Sequence, residues 1–139
     1  MNTTQMSPAN LPTGEKRKQA IEALYATAHW LLSRERPHDA SDVFRAMGFF
    51  APGDERAWLG LGTCHERMGQ RSIALEIYGV GSALARSVRC EIARARALRE
   101  EGRTEAAEEA LDRAAALADE RCEDEDEERK LVRDERRLQ

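Results

Sequence analysis

A small residue followed four positions later by a large one recurs along this chain at a nearly fixed distance. Ala40-x-x-x-Phe44 returns 34 residues on as Ala74-x-x-x-Tyr78, and after a further 33 as Ala107-x-x-x-Leu111. Self-similarity at such a period marks a stacked array. One helix pair cannot bury its apolar face alone, and neighbouring pairs complete a common core. Within each copy the small residue lets two helix backbones approach closely, while the large one fills the gap to the next copy. The middle copy is the fullest, with Trp58-x-x-Leu61-Gly62 followed by Gly69, Ala74 and Tyr78. Pro52 closes the first copy where a helix must stop.

This order of residues is that of the tetratricopeptide repeat. It predicts an all-α fold: three helix pairs in a short superhelix, with flanking N-terminal and C-terminal helical segments. Charged residues make up 35% of the 139 and aromatics only 5%, with good helix formers dominant, which speaks against a β-sandwich or barrel. The spacing predicts a flexible arm over 1–14, a repeat domain over 15–119 and a charged helix or tail over 120–139. The repeats run over about 21–54, 55–87 and 88–119. Helices are expected at 15–34, 38–50, 54–68, 71–85, 88–101 and 104–119, punctuated by Pro37, Ala51-Pro52-Gly53-Asp54, Met68-Gly69-Gln70 and Glu101-Gly102-Arg103. Asp54 is placed to cap the helix that carries Trp58.

Trp58, Leu61, Cys64 and Met68 share one helix face, and Ile73, Leu75, Ile77 and Tyr78 are expected to supply the apposed side. Three positions break the pattern. Glu35 stands where glycine would ease a turn, and Glu91 and Arg94 stand where large apolar residues are expected. Gly79 and Gly81 each cost about 1 kcal/mol inside a helix, which implies close approach by a neighbour. Gly81 sits at the small position of the repeat, whereas Gly79 has no such place.

The run Leu59-Gly60-Leu61-Gly62-x-Cys64-x-x-x-Met68-Gly69-Gln70, followed by Ala74, Tyr78 and Gly81, resembles the middle repeat of the type III secretion translocator chaperones, the LcrH/SycD family. Leu24-Tyr25-x-x-Ala28 and Ala40-x-x-Val43-Phe44 resemble that family's first repeat, and the similarity covers about residues 20–115. The resemblance implies a small cytoplasmic chaperone of three repeats that keeps translocator subunits soluble before export. It also implies that a short extended segment of the client lies in the concave groove. A tetratricopeptide co-chaperone of needle subunits and a generic interaction or scaffold module are the alternatives.

In such a superhelix the first helix of each pair forms the concave wall, and positions 2, 5, 9 and 12 of that helix face inward. These are Tyr25, His29 and Leu32 in the first repeat, Arg56, Leu59 and Thr63 in the second, and Arg89, Ile92, Arg96 and Arg99 in the third. The groove is then expected to be apolar at one end and basic at the other, suited to an extended peptide with apolar anchors and some acidic character. In the resembled family the positions of Tyr25, His29, Leu32 and Leu59 line this groove, often as aromatics. Plain core packing competes as a role for Tyr25 and Leu59, and a solvated face pairing with Glu91, Glu100 and Glu101 competes for the arginines. A carboxylate clamp for chaperone C-termini is excluded, because Tyr25, His29 and Gly60 stand where lysine and asparagine would be needed.

Other chemistry finds little footing. Cys64 and His65 are helix neighbours pointing about 100° apart, so they cannot form a nucleophile–base pair. His29, His38 and His65 have no metal-ligand spacing, and Cys64, Cys90 and Cys122 form neither a disulfide framework nor a zinc knuckle. No phosphate-binding or metalloprotease motif occurs. The expectation is therefore no enzyme, no metal and no cofactor. A net charge of −4 gives no general attraction to nucleic acid or anionic membranes. The first residues show no signal-peptide pattern, and no apolar run approaches the ~18–20 residues that span a bilayer, so a cytoplasmic protein is expected. Glu123 to Glu128 reads as a solvated tail or as an acidic strip screening a basic groove. A weak homodimer is expected through the N-terminal helix, on the face of Ala20, Ile21, Leu24 and Ala28.

Overall fold

The computed structural model describes residues 14–120 and 125–138, in which every regular element is a helix. They are α1 (Gly14–Ser33), α2 (Pro37–Phe50), α3 (Glu55–Arg67), α4 (Arg71–Ala85), α5 (Val88–Glu100), α6 (Thr104–Glu120) and α7 (Glu125–Arg137). The first six begin and end within one residue of the bounds that the turn residues imply. The expected arm, apart from Gly14, and residues 121–124 lie outside the described residues.

Local chemistry explains this agreement. The Asp54 side chain accepts the Arg56 backbone N–H and caps α3, and Ser87 does the same for Cys90 at the start of α5. Pro37 opens α2, where its missing N–H costs nothing. The turns inside the second and third pairs pass through Gly69 and Gly102 at φ 74° and 76°. The first pair makes the same turn through Glu35 at φ 58°, where a side chain is strained.

Helices α1, α3 and α5 each pack against the helix that follows, and α7 packs against α6. The odd helices also touch one another in succession, α1 on α3, α3 on α5 and α5 on α7, whereas no two even-numbered helices meet among the described residues. A stack held closer on one side than on the other must curve, so α1, α3, α5 and α7 form its inner wall. Helix α7 thus takes the place that the first helix of a fourth repeat would occupy.

The Leu-Gly-Leu-Gly run has a clear packing role. A Cβ built on Gly60 would stand 2.2 Å from the Phe44 ring, and one on Gly62 would stand 2.2 Å from the Tyr78 ring. Each glycine of α3 therefore receives the large residue of one second helix. Gly81 is equally closed, with Cys90 Sγ at 2.5 Å and Trp58 Cβ at 2.7 Å from the same construction. Gly79 departs from expectation: nothing lies within 4 Å of its would-be Cβ, so no neighbour accounts for it.

Leu61 and Cys64 are buried as expected, with Trp58 and Met68 half-buried against them. On α4, Leu75 and Tyr78 are buried and Ile77 partly so, but Ile73 is 40% exposed. That position turns to the outer surface, where no helix among the described residues covers it. Glu91 corrects the third-repeat pattern differently. It is only 2% exposed and is held by Arg113 at 3.3 Å and Arg94 at 4.0 Å, so an ion cluster replaces the apolar pair.

The face of α1 named for self-association is partly used inside the protomer. Ala28 belongs to the core shared with α2 and α3, and Ile21 and Leu24 pack against it, while Ala20 is exposed.

Candidate functional site: the concave wall

The hollow of the inner wall has a volume of about 650 Å³ and is lined chiefly by α3 and α5, with Leu131 contributed by α7. Five of the expected groove residues line it: Leu59, Thr63, Arg89, Ile92 and Arg96. Tyr25, His29 and Leu32 on α1 and Arg56 on α3 are not among its lining residues.

Sequence spacing orders this wall into rows that run across the helices. Tyr25, Leu59 and Ile92 are equivalent positions on α1, α3 and α5 by the repeat spacing, and Leu131, which lines the same hollow, takes that place on α7. In all four helices the same offsets give a residue three before and one four after: Glu22 and His29, Arg56 and Thr63, Arg89 and Arg96, Glu128 and Glu135. An apolar row is therefore bordered on each side by a polar one.

The apolar row is half sunk into the core. Leu59 packs against the cluster of Ala74, Tyr78 and Cys90 while still lining the hollow. Ile92 is buried with Val88, Ala114, Ala118 and Val132, and Leu131 packs on the same cluster. Tyr25 lies edge-on to Phe44, 6.4 Å between centroids, and tilted against His29 at 5.9 Å. Leu32 packs on the first core cluster, and its carbonyl accepts a hydrogen bond from Arg67 at 3.1 Å. Thr63 donates to the Leu59 carbonyl at 2.8 Å, which ties down its hydroxyl. Leu59 thus packs in the core and lines the hollow at once, whereas Tyr25 packs in the core without lining it.

The border rows are internally paired. Arg56 donates to Glu22 at 2.7 Å and to Asp54 at 2.7 Å, and its guanidinium lies over the Tyr25 ring at 4.6 Å. The Arg56 hydrogen bond holds the Asp54 carboxyl below its usual range, and the acids in turn raise the arginine. Arg89 reaches Glu55 at 3.2 Å, Glu127 at 3.3 Å and Glu128 at 3.9 Å. Arg96 and Arg99 converge on Glu135 at 3.0 and 2.8 Å. Burial alone would raise the Glu135 carboxyl, but these two arginines outweigh it and hold it low.

The expected basic end of the groove is therefore charge-compensated. Its arginines pair with Glu55 and with three acids of α7, not with Glu100 or Glu101. Of the acidic run, Glu127 and Glu128 do meet a groove arginine. Leu131, Glu128 and Glu135 were missed as wall residues. Their offsets equal those of Arg89, Ile92 and Arg96 with the charges reversed, but α7 lies outside the repeat spacing and carries too few apolar residues to mark them.

No other chemistry gathers here. Cys64 and Cys90 are buried free thiols, each pushed up to about 11 by burial. Cys122 lies outside the described residues. His65 bonds Gln70 at 2.7 Å. Among the described residues no cluster of acids, histidines and cysteines could hold a metal ion, and no helix is long and apolar enough to cross a membrane.

With this geometry in hand, the chain can be set beside known proteins. No family model matches it. The low calcium response locus protein H of Yersinia pestis is 33% identical over 70 residues, which is 50% of this chain and 42% of that protein. The match thus spans less than half the length of that curated relative. The type III secretion translocator chaperone SycD of Yersinia enterocolitica has the same fold, with a TM-score of 0.69, 28% identity, and coverage of 84% of this chain and 88% of that one. SycD in complex with a peptide of the translocator YopD superposes with a TM-score of 0.64 and 26% identity, over 85% of this chain and 92% of the other. In fold and in sequence the chain is thus similar to the type III secretion translocator chaperones.

Proposed function

We propose that this chain is a cytoplasmic chaperone of a type III secretion system. It holds a translocator subunit by an extended segment in the concave groove and keeps it soluble before export. The observation that carries the proposal is the apolar row of Tyr25, Leu59, Ile92 and Leu131 across four successive inner helices, three of whose members line one hollow. A likeness to SycD bound to a translocator peptide supports the same reading. Four inner helices at interaxial distances of about 8–10 Å span some 24–30 Å, which about eight extended residues would cover. Binding there would come from spaced apolar side chains entering between helices, oriented by the polar borders. The residues proposed to touch the segment are Tyr25, His29, Leu32, Arg56, Leu59, Thr63, Arg89, Ile92 and Arg96, joined by Leu131.

Co-expression of the tagged chain with the proteins encoded beside its gene, followed by capture and mass spectrometry, tests this. The expected result is one captured protein with long apolar membrane-spanning stretches, insoluble alone and soluble with the chain. Capture of a short helical needle-like subunit instead would replace the translocator reading, and capture of neither would leave only a scaffold.

A further inference from the structure

The most informative feature that this function does not absorb is the placement of α7. It is a highly charged helix, yet Val132 is buried in the third-repeat core and Leu131 completes the apolar row. Its carboxylates at 128 and 135 are among the most buried charged groups of the described residues. They do not point to solvent, as acids on a surface helix normally do. They meet Arg89, Arg96 and Arg99, the cations that would otherwise make one end of the groove basic.

The remaining cations of the hollow are also engaged. Arg71 pairs with Glu100 at 2.9 Å, and Arg67 donates to the Leu32 carbonyl. Glu66, also in the lining, accepts the Tyr78 hydroxyl at 2.8 Å. With Glu55 and Glu127 included, five arginines in and around the hollow face six carboxylates among the described residues, so this end of the wall has no positive excess.

We propose that α7 is a fourth wall of the groove and sets its charge preference: Glu127, Glu128 and Glu135 cancel the third-repeat arginines, so the groove takes apolar anchors flanked by neutral or basic residues and rejects acidic ones. This rests on the groove reading above. Two effects act together. An acidic residue in the segment would face the carboxylates of Glu66 and Glu100 in the hollow's lining, and like charges at close range oppose binding. To reach Arg89 or Arg96 it would also have to displace a carboxylate already tethered in the same chain, whose effective concentration is of millimolar order or higher. A lysine or arginine would meet the small acidic surplus and displace nothing.

The test is selection from a displayed library of random nine-residue peptides, at low salt, against the full chain, a Glu127→Gln/Glu135→Gln variant and a Leu59→Glu background control. Wild type should enrich peptides with spaced apolar residues and zero or positive net charge. The variant should raise the ratio of acidic to basic peptides by roughly tenfold or more. Glu127→Gln alone, at an exposed position that cannot open the core, should move the ratio the same way by less. Matching far-UV circular dichroism establishes that the variants are folded. Enrichment of acidic peptides by wild type, or an unchanged ratio in the folded variants, would overturn the role given to α7 and leave the groove intact. No enrichment above the Leu59→Glu background by any protein would bring down the groove reading, and this inference with it.

Discussion

Substituting alanine at two glycines one helix apart should move stability in opposite directions. Gly62 and Gly79 both lie inside helices, so alanine gains about 1 kcal/mol of helix propensity at each. At Gly79 nothing lies within 4 Å of the new methyl, and the full gain should appear. At Gly62 the methyl would sit 2.2 Å from Cε1 and 2.6 Å from Cζ of Tyr78. Reaching ordinary contact near 3.4 Å requires the ring to retreat by more than about 1 Å. Tyr78 is 1% exposed, and its hydroxyl is bonded to Glu66, so it has little room to move. Overpacking of this kind costs about 1–3 kcal/mol or more. Gly62→Ala should therefore be about 0–2 kcal/mol less stable than wild type, and Gly79→Ala about 1 kcal/mol more stable. The difference between the two variants cancels propensity and isolates the clash, at about 1–3 kcal/mol. In a chain of this size each kcal/mol moves Tm by roughly 3–5 °C. Thermal denaturation followed by far-UV circular dichroism reads this directly. A Gly62→Ala variant that melts at or above Gly79→Ala would refute the account of the Leu-Gly-Leu-Gly run as a pair of ring seats.

Three further outcomes are expected. Glu35→Gly should raise stability by about 0.5–1 kcal/mol in denaturant unfolding, because it relieves a side chain held at φ 58°. The Tm difference between wild type and Glu135→Gln should be present at pH 7 and close as pH falls below the usual 4.5: a carboxyl held low in the fold contributes stability above its unfolded value and loses it as pH drops through the folded one. Sedimentation should show a weak homodimer that Trp30→Glu disrupts, because Ala20, Ala23, Thr27 and Trp30 remain exposed on α1 once Ile21, Leu24 and Ala28 are committed to the core.

The legible part of this molecule is the part fixed by short-range chemistry. Asp54, Pro37, Gly69 and Gly102 act on the residues beside them, and the helix bounds follow to within one residue. The repeat spacing in turn identified which helices face inward, so Leu59, Thr63, Arg89, Ile92 and Arg96 fell in one hollow. What escaped depends on partners far away in the chain. Helix α7 carries only Leu131 and Val132 among charged residues, too few to reveal a docking face by periodicity, and its ion pairs span up to 39 residues. Glu91 reads as a break in the repeat until Arg113, 22 residues on, is seen against it. Ile73 shows the converse limit: helical spacing assigns it a face, but only the stack decides whether that face is covered.

If the protein works as proposed, the apolar row of the inner wall holds the client. The most direct test is calorimetric titration of the captured client's bound segment into wild type, Leu59→Glu and Leu131→Glu. Each variant is first matched to wild type by far-UV circular dichroism. A charge placed where an apolar anchor must be desolvated should weaken binding by roughly 100-fold or more at Leu59, and by less at Leu131 on the edge of the row. Full-strength binding by both folded variants would mean that recognition lies elsewhere on the chain and that the inner wall is not the client's seat.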